Sequence, residues 1–143
     1  MLLQLKSGDK INQLRHVLFL KDMAGVHAYM KKHRDIIKPK FDLIDMILHE
    51  ELDELEIAKW ENPKGGYFIN LELKNGMASR VWELCKSAGV MITPAGSTFP
   101  YGRDEEDKYL RLEPTYPPMN ELKKAVRLLC LAIKIAYCEK FGI

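Results

Sequence analysis

Arg111 is the residue whose type and setting most directly suggest chemistry. It is the one cation in the apolar run Tyr109-Leu110-Arg111-Leu112, which we expect to be a strand. A guanidinium held on a rigid strand can bind a carboxylate through two parallel hydrogen bonds. The same spacing also allows a structural interpretation, in which Arg111 pairs across the sheet with an acid such as Glu72. The residues alone leave both interpretations open.

Other reactive side chains do not complete a recognisable site. His49-Glu50 begins a zinc-protease pattern, but position 53 is Asp53, where that pattern requires a second histidine ligand. The three cysteines, Cys85, Cys130 and Cys138, lack CxxC spacing and indicate reduced thiols of a cytosolic protein. The sequence therefore predicts no metal site and no disulfide framework.

The composition indicates one globular domain in the cytoplasm. The chain has 143 residues, of which 47% are hydrophobic and 29% charged, which is ordinary for a folded domain. A formal net charge of +2 is too small to indicate a nucleic-acid partner. The apolar run 128–137 is short and carries Lys134, so it does not predict a membrane span.

The hydrophobic pattern places helices at both ends of the segment after residue 22. From Val26 to Leu52 the apolar residues follow a helical stripe that continues through Pro39, which predicts one long helix bent near Lys38-Pro39. A second long helix is expected to begin at 118–120 and to run toward the C-terminus, since proline is tolerated in a first turn.

Strand-like segments lie between these two helices. Residues 55–60 and 67–73 flank an Asn-Pro-Lys-Gly-Gly turn and should form an antiparallel hairpin, with Tyr67 on the same face as Ile69. Asn75 is expected to cap a helix that ends near Ala88, and 90–93 reads as a short buried strand. The whole order predicts an α+β fold, a small antiparallel or mixed sheet with helices packed on one face.

Three local patterns resemble a known family. They are the arginine strand followed by Pro114-Thr115-Tyr116-Pro117, the turn Pro63-Lys64-Gly65-Gly66-Tyr67-Phe68, and the loop Pro94-Ala95-Gly96-Ser97-Thr98-Phe99. Together they resemble the C-terminal small domain of fold-type I, pyridoxal-phosphate-dependent aminotransferases, in the MocR-like or aspartate aminotransferase branch. The resemblance covers nearly all of residues 9–143 and corresponds to the last third of such an enzyme.

The resemblance implies a division of the chain and a set of substrate-binding residues. Residues 1–22 would be an arm from a large domain, and 23–143 would be the small domain. Arg111 would bind the α-carboxylate of the substrate, and Tyr67 and Thr98 would line the cleft. The intact enzyme would transfer an amino group between an amino acid and a 2-oxo acid, as a homodimer.

The resemblance also implies that the chain alone is inactive. The family uses pyridoxal 5'-phosphate, bound as a Schiff base to a lysine in a Ser-x-Ser-Lys-like setting, and no lysine of this chain has that setting. We therefore expect no catalytic residue, no cofactor and no metal in this chain, which would be a cut or truncated C-terminal domain. Its partner would be the large domain of the same polypeptide, with no nucleic acid and no membrane.

Two other classes of function remain open at this stage. The same fold could end the effector domain of a MocR-type transcription regulator, which senses a ligand without transforming it. The chain could also be a non-catalytic interaction module.

Overall fold

The computed structural model describes residues 9–142 and shows an α+β fold, as the sequence predicts. The helices are α1 (Lys10–Leu20), α2 (Met23–Leu52), α3 (Ala78–Ser87) and α4 (Met119–Phe141). The strands are β1 (Ala58–Trp60), β2 (Ile69–Leu73) and β3 (Tyr109–Leu112). Residues 1–8 of the expected arm lie outside the described residues, as does residue 143.

The chain divides into two compact units, with the boundary between Lys38 and Pro39. In the first unit, the carboxylate of Asp9 caps α1 by accepting the backbone N–H groups of Ile11 and Asn12 at 3.0 and 3.1 Å. Residues 9–22, predicted to be an arm, thus contain a capped helix. Helix α2 is continuous through Pro39, which confirms the prediction of one long helix there.

The second unit contains a three-stranded antiparallel sheet in the order β1-β2-β3. Asn70 lies directly opposite Arg111, and Glu72 lies opposite Tyr109. Because side chains alternate along a strand, these four residues share one side of the sheet, which we call the outer face. The other side is the core face, whose residues are all buried: Ile69, Leu71, Leu73, Leu110 and Leu112.

Helices supply most of the rest of the hydrophobic core, and Ile57 and Met77, which lie just before β1 and α3, complete it. The second half of α2 contributes Phe41, Ile44, Ile47, Leu48 and Leu52, α3 contributes Ala78, Val81 and Cys85, and α4 contributes Leu122, Val126, Leu129, Cys130, Ala132, Ile133 and Ala136. These buried positions recur every three or four residues, so each helix presents one apolar stripe. None of the helices between residues 9 and 142 is long and apolar enough to cross a membrane.

Two sequence-based predictions about local structure are wrong. The segment 90–93 is not a strand: it pairs with no part of the described sheet, and Met91 is 81% exposed. The Val90 N–H instead donates to the Cys85 carbonyl at the end of α3. Asn75 does not cap α3, which begins at Ala78, and its side chain donates to Glu106 instead. At Asn75 a contact from elsewhere in the chain outweighs the local preference, and at 90–93 no described strand lies alongside to pair with the segment.

Candidate functional site on the outer face of the sheet

The candidate site is centred on Arg111, near the middle of β3. Its side chain is half-buried on the outer face of the sheet, opposite Asn70. Both flanking residues, Leu110 and Leu112, are buried on the core face, so the backbone that carries the guanidinium is fixed by the core. The prediction that Arg111 lies on a strand is confirmed.

Contacts on both sides of β3 hold the strand in place. The Asp104 carboxylate accepts the backbone N–H groups of Lys108 and Tyr109, both at 2.9 Å. Burial would raise the pKa of Asp104, but the backbone hydrogen bonds outweigh it, and the pKa lies below its ordinary value. Beyond the strand, the ammonium of Lys40 donates to the Thr115 carbonyl at 2.6 Å. The segment that carries Arg111 is therefore anchored before and after the arginine.

The cross-strand ion pair considered for Arg111 does not form. Glu72 binds the ammonium of Lys108 at 3.2 Å, and Lys108 also binds Glu106 at 2.6 Å. Hydrogen bonds from Lys108 to Glu106 and then to Glu72 raise the pKa of that lysine. No acid among residues 9–142 pairs with Arg111, and its Nε is buried there without a hydrogen-bond partner. Buried polar atoms without partners are rare in folded proteins, and a ligand-binding role is one of the explanations for such an atom.

The guanidinium lies over an aromatic ring that sequence reasoning did not select. The Cζ atom of Arg111 lies 4.5 Å from the ring centre of Phe68. Phe68 precedes β2 by one residue, and Asn70, two positions later, faces Arg111. Alternation along the strand places Phe68 on the outer face as well, and this was the signal available in the sequence.

Tyr67 and Thr98 are the other two expected site residues, and within the described part of the chain neither forms a hydrogen bond or a ring contact with Arg111. Tyr67 is 55% exposed in the turn before Phe68. Thr98 is exposed in a turn whose backbone is closed by hydrogen bonds from Ser97 to Pro94 and from Phe99 to Gly96. Their roles in substrate binding stay predictions.

The described residues offer neither a metal site nor a lysine suited to a Schiff base. Between residues 9 and 142, no three or more His, Cys, Asp or Glu side chains could hold a metal ion together. A Schiff-base lysine must be desolvated and able to lose its proton. The half-buried lysines do not fit this: Lys40 donates to a carbonyl, Lys108 binds two glutamates, and Lys134 binds Glu51 at 2.7 Å.

Comparison with known proteins identifies close relatives. The sequence profile described as "Aspartate amino-transferase" matches residues 3–142. The crystal structure of an aspartate transaminase from Corynebacterium glutamicum shares 43% sequence identity, with a TM-score of 0.89 over 92% of this chain. The chain spans only 31% of that structure's own length.

Two more distant relatives are an aminotransferase with a bound ligand and a protein named as a transcriptional regulator. A kynurenine aminotransferase from Pyrococcus horikoshii, crystallised in complex with PMP, is 30% identical over 75% of this chain and 27% of its own, with a TM-score of 0.62. A Bacillus subtilis protein named as an uncharacterized HTH-type transcriptional regulator, YdfD, is 28% identical over 74% of this chain and 21% of its own length.

Proposed function

This chain belongs to the aspartate amino-transferase family, and we propose that it supplies the substrate-carboxylate site of such an aminotransferase, with Arg111 as the binding group. The observation that carries the proposal is the state of Arg111 itself. It is half-buried on a rigid strand, and no acid in the described chain neutralises it. A guanidinium in this state is available to an anionic ligand.

The available cation favours a carboxylate as its ligand. A planar guanidinium presents parallel N–H donors that match the two oxygens of a carboxylate, which a lysine ammonium cannot do. In an amino acid and its 2-oxo acid the carboxylate is attached to the reacting carbon. Holding the carboxylate therefore fixes the orientation of the bonds that must break and form. The role of Arg111 in this proposal is to bind and orient the substrate.

The chemical step itself would need groups from elsewhere. Pyridoxal 5'-phosphate would supply the electron sink for amino transfer. The half-buried lysines of this chain do not fit the role of its Schiff-base lysine, because each already donates to a carbonyl or a carboxylate. We therefore assign the cofactor and its lysine to a large domain, as in an intact enzyme of the family. The same proposal includes that the intact enzyme is a homodimer and that its amino donor is an amino acid.

A regulator is the second candidate function. The similarity to the Bacillus subtilis protein named as an HTH-type transcriptional regulator favours it, although that match is more distant than the aminotransferase matches. In this case Arg111 would hold the same carboxylate of a sensed amino acid. A DNA-binding domain in the same polypeptide, and loss of ligand-dependent DNA binding in Arg111→Lys, would distinguish regulator from enzyme.

The role of Arg111 can be tested in a chimera. In this chimera the chain replaces the matching segment of the Corynebacterium glutamicum aspartate transaminase, and activity is measured with aspartate. Arg111→Lys keeps the charge and loses the planar fork, whereas Arg111→Ala loses both. Loss of this contact should lower kcat/KM for the amino acid by the equivalent of about 2–5 kcal/mol. The exposed Arg103, changed to alanine, is the matched control and should leave kcat/KM unchanged.

The structural interpretation of Arg111 predicts a different result. If the arginine only stabilises the sheet, Arg111→Lys should lower the melting temperature and leave kcat/KM of the folded enzyme near normal. Kinetics and thermal melting measured on the same preparations separate the two cases. An unchanged kcat/KM in both Arg111 variants would contradict the carboxylate role.

A further inference from the structure

We propose that Phe68 is a positioning residue for Arg111: its ring holds the guanidinium through a cation–π contact and leaves the N–H donors of the arginine free for a carboxylate. The inference rests on the proposed function of Arg111 and adds a residue to the same site. It starts from the contact between the arginine Cζ and the phenyl ring, whose centre is 4.5 Å away.

The contact is favourable because of how charge is distributed in both groups. The face of an aromatic ring is negative and attracts a cation within about 6 Å. A phenyl ring has no conventional hydrogen-bond acceptor, so it contacts the cation without forming a conventional hydrogen bond to the N–H donors. Phe68 can therefore hold Arg111 without competing with a ligand.

Arg80 shows the alternative within the same molecule. Its Nε and one terminal nitrogen donate to the two carboxylate oxygens of Glu139 at 2.7 and 2.9 Å. The donor fork of Arg80 is thus occupied by an acid, and Arg80 is an ion-paired surface residue. Arg111 has an aromatic neighbour where Arg80 has a carboxylate. The N–H donors of Arg80 are therefore occupied by an internal carboxylate, whereas those of Arg111 can bind an external anion.

Burial of the Arg111 Nε supports the same conclusion. This atom is buried without a hydrogen-bond partner, and it is the only such side-chain nitrogen or oxygen among residues 9–142. An arginine side chain that moved freely on an open sheet face would keep its Nε in water. The side chain is therefore held in one arrangement, which lowers the conformational entropy that a carboxylate must overcome when it binds.

The turn before β2 is built to place Phe68 at this point. Gly66 has a φ of 90°, a backbone conformation that favours glycine, and the chain then passes through Tyr67 to Phe68. Two residues later Asn70 lies opposite Arg111, so Phe68 is a diagonal neighbour of the arginine on the outer face. Such a diagonal pair is within reach of long and aromatic side chains.

The test uses the full 143-residue chain labelled with [15N]arginine, with acetate as the carboxylate probe. The Nε–H signal of Arg111 is assigned by its loss in Arg111→Gln. We expect slow exchange of this proton with water and a shift on titration with acetate. Phe68→Leu should speed the exchange and weaken acetate binding about threefold to tenfold. Phe68→Tyr, which keeps a ring, should restore both within about twofold.

Phe141→Leu is the matched control, because Phe141 is a similarly exposed aromatic that contacts the ring of Tyr137 and, among residues 9–142, makes no cation–π contact. It should change neither the exchange rate nor the affinity. The inference is overturned if Arg111 responds to acetate and Phe68→Leu leaves its affinity unchanged. A different result, no response of the Arg111 signal to acetate in the unaltered chain, would contradict the carboxylate role of Arg111 itself. The two failures are therefore distinguishable.

Discussion

The carboxylate of Asp107 accepts two hydrogen bonds from Ser79, from its backbone N–H at 2.9 Å and from its hydroxyl at 2.7 Å. The backbone carbonyl of Asp107 also accepts the N–H groups of Met77 and Ala78. A residue 28 positions further along the chain thus satisfies the first free N–H groups of α3. This contact joins the helix to the loop that leads into the Arg111 strand.

We predict that Asp107→Ala destabilises the protein, while Asn75→Ala does not. Removal of the carboxylate leaves the Ser79 N–H without its acceptor, which should lower the free energy of unfolding by about 0.5–2 kcal/mol. Asn75 is the residue that local sequence rules would select as the cap, but its side chain lies against Glu106 at 3.4 Å. Urea unfolding of both variants compares them. Equal destabilisation by the two substitutions would contradict the assignment of Asp107 as the cap.

The sequence predicts the long helices of this fold but not the contacts between segments that are distant in the chain. Helices α2 and α4 were predictable because their apolar stripes are long and regular. The cap of α3 was not, because the residue that supplies it is distant in sequence. The segment 90–93 has the composition of a strand, yet no described strand is placed beside it.

The candidate site was partly predictable for a similar reason. Arg111 stands out because its charge interrupts an apolar run. The choice of Tyr67 over Phe68 came from the family resemblance, although the alternation already put Tyr67 with the core-facing residues. Extension of the same period-2 argument from Asn70, which faces Arg111, would have selected Phe68. The three-dimensional structure was needed to show that Glu72 pairs with Lys108 and not with Arg111.

A pair of glycine substitutions tests the turn that places Phe68. Gly66 has a φ of 90°, whereas Gly65 has no such conformation, and neither has an atom within 4 Å of an added methyl group. Gly66→Ala should therefore lower the free energy of unfolding by about 1–2 kcal/mol through backbone strain. Gly65→Ala should be neutral or should stabilise by less than about 1 kcal/mol. Urea unfolding of the two variants measures the difference, and equal stabilities would contradict the strain argument.

The three thiols should differ in reactivity. Cys85 and Cys130 are buried, and burial raises their pKa values to about 11 and about 12, with the charge of Glu51 contributing at Cys130. Cys138 is exposed. At pH 8 a disulfide reagent such as DTNB should modify one thiol rapidly, and Cys138→Ser should abolish the rapid phase. Rapid modification of two or three thiols in the folded protein would contradict this assignment.

The same pKa values predict a loss of stability in alkali. The folded state keeps the two buried thiols protonated, while the unfolded chain releases those protons near an ordinary thiol pKa of about 8.5. The stabilisation is therefore complete below about pH 8.5 and is lost as the pH rises toward the folded values of about 11 and about 12. Cys85→Ala should flatten the decline of the urea midpoint between pH 9 and 11 relative to the unaltered chain. If the urea midpoint of Cys85→Ala depends on pH as it does in the unaltered chain, the prediction is wrong.

The last prediction concerns the exposed apolar residues of α1. These are Ile11, Leu14, Val17, Leu18 and Phe19, each at least 57% exposed. An apolar surface of this kind on one short helix favours association, since its burial removes hydrocarbon from water. We expect the chain to self-associate in light scattering, more strongly at higher concentration.

A charge substitution on α1 identifies the surface responsible for association. The double variant Leu14→Lys and Leu18→Lys replaces two of its apolar side chains with charges and should shift the chain toward the monomer. Gln13→Lys is the matched control, because it adds a lysine at an exposed position of the same helix and removes no apolar side chain. It should leave the association unchanged. A strict monomer at all concentrations in the unaltered chain would contradict the prediction.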